Sequence, residues 1–143
     1  MKRIYTITAL IISTLCGCAA EQVRDIGSLE ARISETAVAL TKNNDFSELE
    51  KHNRSGIGYY YILNKNGIIV YHPEKGLIGS DFSRFGFVRK IMRDKNGCFR
   101  SEAGAVSRII LFREKAGDEI LCYTIPENEI TGGEKCEKYT ESK

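Results

Sequence analysis

Two apolar stretches, Tyr59-Tyr60-Tyr61-Ile62-Leu63 and Ile68-Ile69-Val70-Tyr71, flank the tetrapeptide Asn64-Lys65-Asn66-Gly67. Aromatic and β-branched residues favour strands, and an Asn-Gly pair suits the positive φ angles of a tight turn. The pattern predicts an antiparallel hairpin. Strand alternation then puts Tyr59 and Tyr61 on one face and Tyr60 on the other. Both strands are apolar on both faces, so other elements must cover the sheet on each side. One face is expected to meet a helix, and the other to line a pocket.

The rest of the chain supplies the covers. Ile26, Leu29, Ile33, Ala37 and Leu40 recur at steps of three and four, which predicts an amphipathic helix over residues 21–43. Asn43-Asn44 stops it. Asp45 is expected to cap a short helix, with Glu48 reaching back as a capping box and Phe46 and Leu49 on its apolar side. Residues 72–83 read as a loop containing Pro73, Gly76 and Gly79. Phe85, Phe87, Val88, Ile91 and Met92 then fit a helix over 84–93, ended by an αL cap at Asn96-Gly97. Three further strands, 98–102, 107–113 and 119–125, follow, the last two joined at Ala116-Gly117-Asp118. Residues 127–143 are polar and read as a mobile tail. This order predicts an α+β fold, a PAS-like five-stranded antiparallel sheet. A long N-terminal helix covers one face and a helical or loop crossover the other.

The N-terminus carries a different message. Lys2 and Arg3 precede an uncharged apolar run, residues 4–15, and small residues surround Cys18. Basic, apolar and small segments in that order are the layout of an export signal. Twelve helical residues cover about 18 Å, short of the ~30 Å bilayer core. Leu15-Cys16-Gly17-Cys18 resembles the lipobox of bacterial lipoproteins. The resemblance implies a signal peptide over 1–17, a lipidated Cys18 carrying fatty acyl chains such as palmitate, and an extracytoplasmic, membrane-anchored protein. Removing residues 1–17 from 143 leaves 126, enough for one domain over 18–126 plus the tail.

The formal charge of +2 includes Lys2 and Arg3; the remaining chain balances 19 basic against 19 acidic side chains. That balance argues against nucleic acid as a partner. Beyond Cys18, Cys98, Cys122 and Cys136 leave their pairing open, because loop-closure entropy separates the alternatives by less than ~1 kcal/mol. With no C-x-x-C pair and with His52 and His72 distant in sequence from these cysteines, no metal site or cofactor is expected.

Residues 60–73, Tyr-Tyr-Ile-Leu-Asn-Lys-Asn-Gly-Ile-Ile-Val-Tyr-His-Pro, resemble the core of a Cache domain. They show its strand, Asn-x-x-Gly turn, second strand and His-Pro pair. Gly79, Asp81-Phe82-Ser83 and Gly97-Cys98-Phe99 match later parts of the pattern, so the resemblance spans roughly residues 21–126. It implies an extracytoplasmic sensor that binds a small carboxylate or amino acid between the sheet and the loop after His72-Pro73. Signalling is expected only through a signalling or envelope protein partner. The chain departs from the family in having no tryptophan near the end of the last strand.

A carboxylate ligand wants a guanidinium fork and neutral donors. Among Arg84, Arg89, Arg100 and Arg108, Arg89 and Arg100 are the expected cations. His72, Tyr61 and Tyr123 are the expected companions, with Phe82 and Phe85 as apolar cover. No nucleophile–base constellation is defensible, so a binding protein is expected rather than an enzyme. The alternative is a structural or interaction lipoprotein whose pocket is filled by Tyr and Phe.

Overall fold

The computed structural model describes residues 24–102 and 105–140. Helix α1 (Ile26–Asn43) begins where the Asp25 carboxylate accepts the Ser28 amide at 3.1 Å, satisfying one of the otherwise unpaired donors of the first turn. It ends at Asn44 in the left-handed conformation. Its buried residues are Ile26, Leu29, Ile33, Ala37 and Leu40, the expected stripe. Helix α2 (Ser47–Ser55) follows. Asp45 contributes by accepting the Ser47 amide at 2.9 Å, but Phe46 occupies the cap position, so the expected Asp45–Glu48 capping box is not formed.

Among the described residues six strands form one sheet: β1 (Tyr59–Leu63), β2 (Ile69–Tyr71), β3 (Gly97–Ser101), β4 (Arg108–Lys115), β5 (Glu119–Pro126) and β6 (Glu137–Tyr139), in the order β2-β1-β5-β4-β3-β6. The first five are antiparallel, as expected for the α+β, PAS-like arrangement. Helix α3 (Gly86–Asp94) crosses between β2 and β3. It ends through Lys95 at positive φ, one residue before the predicted Asn96-Gly97 cap. The sheet divides two apolar clusters. One joins α1 and Leu49 of α2 to Tyr60, Ile62, Tyr71, Leu111, Leu121 and Tyr123. The other joins Val88 and Ile91 of α3 to Tyr61, Leu63, Ile69, Phe99, Phe112 and Cys122. Both faces are covered, as the apolar strands require. Among the described residues no helix is long and apolar enough to cross a membrane.

Two departures from the sequence expectation matter for function. The first concerns residues 127–140, which are not a detached tail. Strand β6 pairs parallel to β3, and Cys136 is disulfide-bonded to Cys98 with Cα atoms 5.2 Å apart. Thr131 exchanges backbone hydrogen bonds with the start of α1, donating to Arg24 O at 2.8 Å and accepting from the Ile26 amide at 3.0 Å. The sheet therefore gains a sixth, parallel strand beyond the five expected. Cys122 is free and buried.

The second is a β-bulge. Ile62 pairs with Tyr71 while Leu63 pairs with Ile69, leaving Val70 as an extra residue. Val70 and Tyr71 consequently both pack on the α1 side, and the next residue, His72, emerges on the α3 side. The following loop then doubles back along β2. The Ile69 amide donates to Ser80 O at 3.0 Å, and the Gly79 amide to Ile69 O at 2.7 Å.

Candidate functional site

A cleft of about 180 Å³ opens on the α3 side of the sheet, between the strands and the loop after His72. Tyr59 and Tyr61 of β1 and Ile110 of β4 make its sheet wall, and Phe82 and Phe87 close it from the crossover. Its polar members are His72, Ser101, Arg108 and Thr124. Alternation explains this set: Arg108 lies two residues before Ile110, and Thr124 two after Cys122, so all four share the α3 face.

The aromatic groups form a connected cluster. The His72 ring stands edge-on to Tyr59 at 5.4 Å and tilted to Tyr61 at 5.9 Å. The Glu74 amide donates to His72 Nδ1 at 2.9 Å. A nitrogen that accepts this hydrogen bond carries no proton, so the neutral ring holds its hydrogen on Nε2 as a donor. Burial lowers the His72 pKa from 6.5, so the ring is a neutral donor rather than a charge at pH 7. Burial likewise pushes the Tyr61 hydroxyl well above its ordinary value, and the neighbouring Thr124 side chain offsets this only in part. Cys122 is raised in the same way and stays a thiol.

Of the five expected ligand-binding residues, the structure brings two together. Tyr61 and His72 line the cleft; Tyr123, Arg89 and Arg100 do not. Tyr123 pairs directly with Tyr60, so it shares the α1 face, its ring 4.6 Å from Tyr60 and 5.4 Å from His52. Its hydroxyl sits 3.3 Å from His52 Nε2. Gly58 makes room for it, because a Cβ there would come within 2.5 Å of the Tyr123 oxygen.

Arg100 pairs with Ile109, which also faces α1, and its guanidinium lies 3.4 Å from Glu127. Arg89 is exposed on α3 and donates to the carbonyls of Arg84 and Ser83 at 2.6 and 3.4 Å, bracing the loop before the helix. The cation in the cleft is Arg108, which has no ion pair among the described residues. Tyr59, Phe87, Ser101 and Thr124 also belong to the cleft without having been singled out. Counting in twos from Tyr61 finds Tyr59; for the others the β3–β4–β5 register was needed. Phe82 covers the cleft as expected, while Phe85 stands behind it, 5.1 Å from Phe82. Cys18 lies outside the described residues, and these contain no cluster of His, Cys, Asp and Glu fit to hold a metal.

No protein-family profile matches this chain. No curated protein matches it in sequence. Solved structures resemble it in fold. The ligand-binding domain of Mlp24 with asparagine aligns over 59% of this chain and 36% of that one, at 20% identity and a TM-score of 0.43. A methyl-accepting chemotaxis protein from Vibrio parahaemolyticus aligns over 72% and 90%, at 13% identity and 0.49. The ligand-binding domain of the Pseudomonas aeruginosa amino acid chemoreceptor PctB, in complex with L-Gln, aligns over 55% and 33%, at 19% identity and 0.39. The chain thus spans about a third of the Mlp24 and PctB structures.

Proposed function

We propose that this chain is a Cache-like sensor domain that binds a small carboxylate or amino acid in the sheet cleft. It would be held on the extracytoplasmic side of a membrane by lipid on Cys18 and signal through a partner protein. The observation that carries the binding reading is that Arg108, His72, Tyr59 and Thr124 line one aromatic-walled cleft, with His72 Nδ1 taken by the Glu74 amide and Nε2 left as the donor. A guanidinium supplies charge and a two-pronged donor, and neutral donors orient the second oxygen of a carboxylate. At about 180 Å³ the cleft falls below the ~300–1,000 Å³ usual for drug-sized ligands, so it selects for few heavy atoms.

The crowding by Tyr59, Tyr61, Phe82 and Phe87 also supports the rival reading, an interaction protein without a working pocket. A thermal-shift panel of small carboxylates and amino acids separates the two. A ligand at 100 times its Kd stabilises by about 2.7 kcal/mol. The binding reading expects at least one compound to raise the melting temperature in wild type and to lose that effect in Arg108→Ala. A panel at millimolar concentration that shifts nothing overturns it in favour of the interaction reading.

A further inference from the structure

A second, larger cleft lies on the other side of the His72–Ser80 loop, against α2 rather than the sheet. It encloses about 580 Å³ and shares only His72 with the first. Phe46, Tyr71 and Ile78 supply apolar surface, and Glu50, Arg54 and Lys75 supply charge. The Phe46 and Tyr71 rings are tilted by 40° with centroids 5.0 Å apart, and Ile78 is 47% exposed, a large apolar side chain left open to solvent.

Its polar groups are not balanced among themselves. Glu50 and Arg54 face each other at 3.8 Å, whereas Lys75 has no ion pair among the described residues. Tyr71 is nearly buried, at 6% exposure, and its oxygen accepts from Asn53 Nδ2 at 3.3 Å. That bond uses a lone pair and leaves the hydroxyl hydrogen free to donate. An apolar wall with two rings, one surplus cation and one buried donor is complementary to a flat apolar body bearing a carboxylate.

We propose that this α2 cleft is a second ligand site, for aryl carboxylates. The ring packs on Phe46 and Ile78, where aromatic contacts add to area burial. The carboxylate accepts from Lys75 Nζ and from the Tyr71 hydroxyl. The volume lies in the usual range for small-molecule pockets.

The test titrates the purified protein with 1-naphthylacetate, following the fluorescence of the probe. Wild type is expected to bind saturably at one site. Lys75→Glu, at an exposed position, should weaken binding about tenfold or more, the scale of one charge-assisted hydrogen bond. Tyr71→Phe, which keeps the ring, should weaken it severalfold. The neutral analogue 1-naphthaleneacetamide should bind more weakly and be indifferent to Lys75→Glu. Arg108→Ala should leave the titration unchanged, because Arg108 belongs to the sheet cleft. The proposal is overturned by unsaturable binding up to millimolar probe, by affinity unchanged in both Lys75→Glu and Tyr71→Phe, or by loss of binding in Arg108→Ala.

Discussion

Tyr71 and His72 are neighbours in the chain yet serve opposite sides of the sheet. The Tyr71 ring lies 5.0 Å from Phe46 on the helical side, and the His72 ring 5.4 Å from Tyr59 in the sheet cleft. Alternation alone separates adjacent strand residues, and the bulge at Val70 sets which of the two takes which side. Unbroken alternation through Ile69, Val70 and Tyr71 would instead turn Tyr71 toward α3 and His72 toward α2.

The cleft's ligand response should therefore depend on His72 and Arg108 and not on Arg89 or Arg100. His72→Ala and Arg108→Ala are each expected to weaken a stabilising carboxylate about tenfold, the loss of one hydrogen bond to a charged group. Arg89→Ala and Arg100→Ala should stay within about twofold, since both guanidiniums point elsewhere. Calorimetric titration of the four variants checks this, and an effect confined to Arg89→Ala would overturn the geometry.

Burial lowers the pKa of both His72 and His52; at His52 the charges of Arg32 and Arg24 add to the effect. A histidine depressed in the folded state binds fewer protons than when unfolded. Its penalty begins as pH falls through the unfolded value of about 6.5 and is complete below the lowered folded value. Stability should thus decline from pH 7.5 toward 5.5. The double replacement His52→Gln with His72→Gln should flatten that decline in denaturant melts. An unaltered slope would show that neither ring pays the cost.

The face of α1 is the most demanding helix contact. Ile33 is 2% exposed against the sheet. Ile33→Ala should cost ~2–5 kcal/mol through lost burial and the cavity left behind. Urea unfolding measures it, and a change under ~0.5 kcal/mol would mean that α1 is not docked as described.

The Cys98–Cys136 bond should contribute about 2–4 kcal/mol by restricting the unfolded chain. Replacing both with Ser should lower the unfolding free energy by that amount and speed amide exchange in β6 before other strands. Equal protection of β6 in the two proteins would show that its pairing with β3 is self-sufficient.

Lipidation is tested separately. The full-length chain expressed in a bacterium should incorporate labelled palmitate and enter a detergent phase, and Cys18→Ser should do neither. Identical partitioning of the two proteins would remove the anchor from the proposed function.

Local periodicity carried most of the architecture. The five apolar positions of α1 repeat at helical spacing, and the tyrosines of β1 distribute by parity, so those elements and the faces of Tyr60 and Tyr61 were legible. What escaped depends on pairing between distant segments. Arg100 and Arg108 look alike as strand arginines; only the register that sets Arg100 against Ile109 sends one to α1 and leaves the other in the cleft. Strand β6 is three residues long and polar, and its place comes from a covalent bond and a neighbour rather than an apolar pattern. Nothing in Ile69-Val70-Tyr71 marks Val70 as surplus.

The bridge between Thr131 and the residues flanking Asp25 gives the fold a load path. Tension applied to the chain ahead of Arg24 meets the Thr131 hydrogen bonds before it reaches the body of α1. From Thr131 it runs along five residues to Cys136 and crosses the disulfide into β3. The pull is thereby shared between the helix and the far edge of the sheet, so a tethered molecule would be held by two layers at once rather than peeled open from its first turn.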